Sequence, residues 1–282
     1  EDDATADASV RVSSDISCPD ANTKVWDGGG DTNNWSEAAN WCNNTVPTTH
    51  HSIIFNATSI KNLNINTNVT VASANITSLY TGTITQGTSN LNVTFSFTQA
   101  GGTFVAGSGS ITVGTTHSHA GGTFSGGFGG LDIEGGFDIS GGTFNAPMGE
   151  AFFGAPYFQV TGGTFNPNGG TIVFDGGLTN FTIPTTFTLN NVTVNKSSSL
   201  RFTTNSSTLV VTGTLTLTNG SIENTAAIGT VEAQGDVVMA STYDGGDANF
   251  RFGGSANQTY TNAGGVNPQG TWTIDKSGGV LI

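Results

Sequence analysis

Two aspartate pairs on glycine turns are the groups best suited to hold a metal ion. Asp27-Gly28-Gly29-Gly30-Asp31 and Asp244-Gly245-Gly246-Asp247 each set two carboxylates on a flexible loop. Calcium, a hard cation that takes oxygen ligands, is the ion they would suit. Neither follows a regular calcium-binding repeat. His117-Ser118-His119 puts two imidazoles on one side of a strand, but zinc takes three or four ligands and no Cys or carboxylate shares the register. Asp132, Glu134 and Asp138 form a run of carboxylates, yet cleaving a glycosidic bond by hydrolysis needs two of them facing each other across the bond. Elimination would need a base beside an acidic cluster, and Arg11, Lys24, Lys61, Lys196, Arg201, Arg251 and Lys276 are scattered singly. Gly107-Ser108-Gly109 lacks the spacing of a nucleophile elbow, and no glycine pair leads into a phosphate-binding helix. The residues therefore read as a solvated acidic face and a pair of neutral core histidines, with no catalytic residue and no cofactor beyond a candidate calcium.

The elements that carry these groups follow from composition. The chain has 282 residues, 41 of them glycine, and only 10% are charged. A typical soluble domain has about 25% charged residues, and the shortage of helix formers points to an all-β fold. The net charge of −13 excludes a phosphate-tracking surface, since nucleic-acid binding requires clustered cations. No apolar run approaches the length of a membrane span, so no membrane insertion is expected. The opening Glu1-Asp2-Asp3-Ala4 reads as the start of a mature, exported chain. Cys18 and Cys42 are the two cysteines, and an exported protein is expected to join them in a disulfide.

An internal repeat sets the architecture. Gly-Gly-Thr-Phe occurs at 101–104, 121–124, 141–144 and 162–165, a period of 20 or 21 residues. Seven and nine residues after each phenylalanine stand Ile111 and Val113, Leu131 and Ile133, Ala151 and Phe153, and Ile172 and Phe174. Seven and five residues before them stand Phe97 and Gln99, His117 and His119, Phe137 and Ile139, and Phe158 and Val160. Three short alternating strands per period with glycine corners describe a β-solenoid, in which equivalent residues stack coil on coil. Phe104, Phe124, Phe144 and Phe165 are then expected to form an inward ladder, with His117 between Phe97 and Phe137. Some ten coils at about 4.8 Å each would make a rod of about 50 Å.

These residues resemble secreted bacterial surface proteins of the right-handed parallel β-helix type. Trp26-Asp27-Gly28-Gly29, Asn34-Trp35-Ser36, Asn40-Trp41 and Pro47 look like the N-terminal segment that opens such helices. Val192 to Ser197 and Leu209 to Leu217 are similar to their degenerate strands. The likeness covers the chain from Trp26 on and implies a fold rather than a particular activity. It also implies a bacterial, extracellular or cell-surface setting.

The expected organisation is an extended N-terminal arm over 1–20, a Trp-rich cap with the disulfide over 21–52, and a parallel β-helix with an incomplete last coil over 53–282. Trp272 to Ser277 echoes Val192 to Ser197, and the chain then ends at Val280, Leu281 and Ile282. The arm carries an alternating segment around Val10 and Val12. Strand addition of that arm to the unfinished end of a second copy would join copies head to tail, a heterologous contact that grows a filament. The competing expectations are a monomeric surface adhesin that binds glycans or neighbouring cells, and a polysaccharide lyase or hydrolase.

Overall fold

Each Gly-Gly-Thr-Phe motif begins with a corner that only glycine fits. Gly102, Gly122, Gly142 and Gly163 have φ of +57°, +70°, +69° and +65°, the left-handed region that L side chains avoid. A Cβ on Gly122 would also lie 2.4 Å from the carbonyl oxygens of Gly101 and Gly102 in the coil below. The corner turns the chain into a short strand whose phenylalanine points inward, and the alternation leaves the flanking threonine on the outer surface.

The computed structural model describes residues 17–225 and 227–282, and these wind into a parallel β-solenoid of about 11 turns. The arm residues Val10 and Val12 lie outside the described residues. Three faces line the rod. The first runs from Thr23–Val25 through Ser52–Phe55, Phe97–Gln99, Thr116–His119 and Gly136–Ile139 towards the far end. The second holds the Gly-Gly-Thr-Phe strands, and the third runs from Val69–Val71 through Ile111–Val113 to Tyr260–Asn262. All pairings between these strands are parallel and nearly all are in register. Two long strands, Asn191–Phe202 and Leu215–Asn224, bend around a corner and fuse the first and third faces into one 19-stranded sheet.

The predicted ladder is present. Phe104, Phe124, Phe144 and Phe165 are register partners, with ring centroids 5.3, 4.6 and 5.6 Å apart. His117 lies between Phe97 and Phe137 on the first face, also as predicted. The inward column of the third face, including Val113, Ile133, Phe153, Phe174 and Val194, is buried throughout. One continuous core therefore runs the length of the rod, and each fully buried ring contributes roughly 2 to 3 kcal/mol of apolar transfer.

The second face is broken once. It consists of a six-stranded sheet ending at Thr164–Asn166 and a five-stranded sheet beginning at Thr186–Leu189, with no strand pairing between them. The break falls where the motif stops: Gly-Gly-Thr-Phe gives way to Ile183-Pro184-Thr185-Thr186-Phe187. Proline fixes φ and donates no backbone hydrogen bond, so the corner cannot be repeated there. Phe165 still packs on Phe187 at 5.3 Å, which carries the core across the gap.

The echo between Val192 to Ser197 and Trp272 to Ser277 turns out to be local. Val192 to Val194 belong to the third face and Trp272–Ile274 to the second, so the two segments are not equivalent positions of one coil. What they share is a lysine device. Lys196 is buried and donates to the carbonyls of Gly154 and Asp175 and to Thr179 Oγ1. Burial lowers its pKa to about 8. Lys276 donates to Gly253 O, Ala256 O and Gln258 Oε1 at 3.3, 2.8 and 2.6 Å. In each case an ammonium donates to carbonyls of the coils below it in the rod.

Candidate assembly face

The two ends of the described rod differ. At the N-terminal end Trp26, Trp35 and Trp41 are buried and pack edge to face, with centroids of Trp26 and Trp35 at 5.2 and 4.7 Å from Trp41. Two of the ring N–H groups are satisfied within the cap: Trp41 Nε1 donates to Trp35 O and Trp26 Nε1 to Lys61 O, both at 2.9 Å. Cys18 and Cys42 form the predicted disulfide and clip the start of the segment to the cap. By loop entropy, closing 24 residues contributes about 3 kcal/mol. The cap is also part of the solenoid, because Thr23–Val25 is the first strand of the first face. Its exposed residues include Asp20, Asn22, Asn43, Asn44 and Thr45, so this end is largely polar.

At the other end the core is uncovered. Trp272–Ile274 pairs with Phe250–Phe252 on one side and, among the described residues, has no strand partner on the other. Trp272 stacks on Phe250 at 5.2 Å, yet it remains 38% exposed and Ile274 is 69% exposed. Residues 280–282 lie along the edge of the third face: Gln258 N donates to Val280 O, and Ile282 N to Gln258 O. Leu281 packs against the core while Val280 and Ile282 are exposed. The predicted end at Val280, Leu281 and Ile282 is thus one side of a wider apolar face that also contains Tyr260, Trp272 and Ile274. Sequence reasoning missed Trp272 and Ile274, although their apolar-polar-apolar spacing matches Phe187 and Leu189, Val231 and Ala233, and Phe250 and Phe252 on the same face.

The predicted metal positions are organised differently. Asp27 Oδ1 accepts the N–H of Gly29 at 3.0 Å, and Asp31 N donates to Glu37 Oε1 at 2.8 Å. The Lys61 ammonium sits among the turn's oxygens, 3.1 Å from Gly28 O, 2.6 Å from Gly30 O and 3.3 Å from Asn40 Oδ1. A resident cation therefore already gathers the carbonyls of this loop. Asp244 and Asp247 border an open cleft of about 520 Å³ with Ser221, Glu223 and Gln269. Asp247 Oδ1 accepts the N–H of Asn224 there, and Glu223 pairs with Arg201 at 2.8 Å. Among the described residues no three His, Cys, Asp or Glu side chains gather closely enough to hold a metal ion.

The carboxylate run divides between faces. Asp132 and Glu134 lie on the outside of the third face near Asp175, and burial, then Asp175 and Glu134, raises the Asp132 pKa. Asp138 lies on the first face, where burial raises its pKa against a hydrogen bond from Ser118. The histidines are buried as expected, and Nε2 of His117 and both nitrogens of His119 lack a partner of full hydrogen-bond geometry.

No family model, no curated protein and no solved structure matches this chain.

Proposed function

We propose that this protein is a non-catalytic structural subunit of an extracellular or cell-surface filament, in which rods join head to tail. The observation that carries the reading is the asymmetry of the described rod: one end is closed by three tryptophans, and the other presents Trp272, Ile274, Val280 and Ile282 beside an unpaired strand edge. Such an edge is a template for adding another strand. A contact between unlike ends does not close on itself and grows in one direction. The Cys18–Cys42 disulfide supports an oxidising, exported setting.

Electron microscopy and sedimentation of the purified chain test this. Fibres with an axial repeat of roughly 50 Å, about eleven coils per copy, are expected. Ile274→Lys changes an exposed residue and places a charge on the open edge. It is expected to leave the circular dichroism spectrum unchanged and to abolish the fibres. Monodisperse rods from the unaltered chain would overturn the reading and favour the adhesin.

A further inference from the structure

We infer that the cap disulfide is an exchangeable one: Cys18 is a site of covalent exchange with low-molecular-weight thiols, and Cys42 is the sulfur that leaves. The inference stands apart from the filament reading and rests on the groups placed around the two sulfurs.

The first of these comes from the edge of the fold. Thr23–Val25 pairs with Ser52–Phe55, where Ser52 N donates to Asn22 O and Trp26 N to Ile54 O. The N–H of Val25 is left over from that pairing and goes to Cys42 Sγ at 3.1 Å, in a buried contact. A neutral disulfide sulfur is a weak acceptor, whereas an ionised one makes a charge-assisted hydrogen bond. The same N–H therefore favours the form in which Cys42 carries negative charge. A protonated thiol is accommodated as well, because Thr23 O lies 3.9 Å from Cys42 Sγ and can accept its S–H.

The second is Lys24. Its side chain is buried, and its ammonium lies 3.7 Å from Cys18 Sγ while also donating to Thr45 Oγ1. A cation beside a sulfur favours the thiolate over the thiol, and it draws an anionic nucleophile to that place. Asp20, two residues beyond Cys18, is engaged by its own turn, accepting from Asn22 N and Thr23 Oγ1 at 2.7 and 2.9 Å.

Access separates the two sulfurs. Cys42 is wholly buried, whereas Cys18 is partly exposed. An incoming thiolate therefore attacks Cys18 Sγ. A bond forms between that sulfur and the incoming one, the Cys18–Cys42 bond breaks, and its electron pair leaves on Cys42 as a thiolate. The product is a mixed disulfide at Cys18. With a dithiol, the second thiol attacks the mixed disulfide and Cys18 leaves as a thiolate beside Lys24; the dithiol is oxidised to its disulfide and the protein gains two electrons. The pairing of Thr23–Val25 with Ser52–Phe55 is made by backbone groups, so the exchange opens the clip without removing a strand.

Redox titration of the unaltered chain in glutathione buffers, read by alkylation and mass spectrometry, tests this. The disulfide is expected to be half reduced within the range that these buffers span, where structural disulfides stay oxidised. Quenching with an alkylating agent during exchange is expected to show glutathione on Cys18 and the alkyl group on Cys42. Lys24→Met keeps the apolar stem and removes the charge. It is expected to lower the equilibrium constant for reduction about tenfold, the worth of one hydrogen bond to a charged group, or about 30 mV. A chain that stays oxidised in every buffer would overturn the inference, as would glutathione found on Cys42. A Lys24→Met curve that coincides with that of the unaltered chain would do the same. The first two readings use the unaltered chain and depend on no variant's folding.

Discussion

Lowering the pH from 7 to 5 is expected to remove about 4 kcal/mol from the stability of the rod, through two side chains. Burial, and for His117 also its neighbour His119, lowers the His117 pKa to about 3; burial lowers that of His119 to about 4. An unfolded chain titrates its histidines near 6.5. Below that pH the unfolded state takes up protons that the folded state refuses, so the contribution is complete above about 6.5 and falls away as the pH drops towards 4 and 3. Between 6.5 and 5 each histidine forfeits roughly 2 kcal/mol, at about 1.4 kcal/mol per unit. The window lies above the range where ordinary carboxylates titrate, and Asp132 and Asp138, whose pKa values burial raises, are common to the two chains compared below.

His117→Phe with His119→Gln is the variant that removes the effect. His117 stacks 4.9 Å from Phe97 and 5.6 Å from Phe137, so phenylalanine continues an aromatic column. His119 is the register partner of Gln99, whose Nε2 donates to Gly101 O and Thr123 O at 3.2 and 3.0 Å. One coil on, a glutamine at 119 would meet the carbonyls of Gly122 and Thr143. Urea unfolding at pH 7 and pH 5 should show a pH-dependent loss in the unaltered chain that the double variant lacks. An equal loss in both would rule out the histidines as its source.

Phe144→Ala is expected to cost about 3 to 5 kcal/mol, the range for deleting a buried aromatic ring. Phe144 stacks on Phe124 at 4.6 Å and Phe165 at 5.6 Å, and meets Phe137 and His117 at 5.0 and 5.4 Å. Its ring is fully buried, so the cavity cannot be filled from solvent. Phe165→Ala should cost less, because Phe165 borders the broken sheet and is only half-buried. Denaturant midpoints decide the point. A Phe144→Ala loss no larger than that of an exposed substitution would contradict the ladder.

Much of this architecture was legible because a solenoid repeats one solution. A fixed interval between Gly-Gly-Thr-Phe motifs forces equivalent residues into vertical register, so the places of Phe104, Phe124 and His117 followed from counting. Cys18, Cys42 and the three N-terminal tryptophans were similarly readable as a closed end. Where the period drifts, counting fails. Nothing in Asn191–Phe202 distinguishes a strand that turns a corner from two strands separated by a turn. The resemblance of Trp272 to Ser277 to an earlier segment misled because an apolar strand followed by a lysine that donates to carbonyls of the coils below arises on more than one face. The loop around Asp27 and Asp31 read as a calcium turn because Lys61, distant in sequence, supplies its positive charge only in the fold. The interruption of the second face at Pro184 was not read from the sequence, because nothing before the fold showed that this proline falls on a corner of the repeat.

That interruption bears on mechanics. Inter-strand hydrogen bonds in a solenoid run along the rod, so a lengthwise pull is carried by all three walls at once. Between Asn166 and Thr186 one wall has no such bonds, and the tension there passes through the other two and the packed rings of Phe165 and Phe187. Under tension the coils on either side of that gap would be the first along the shaft to separate and unwind.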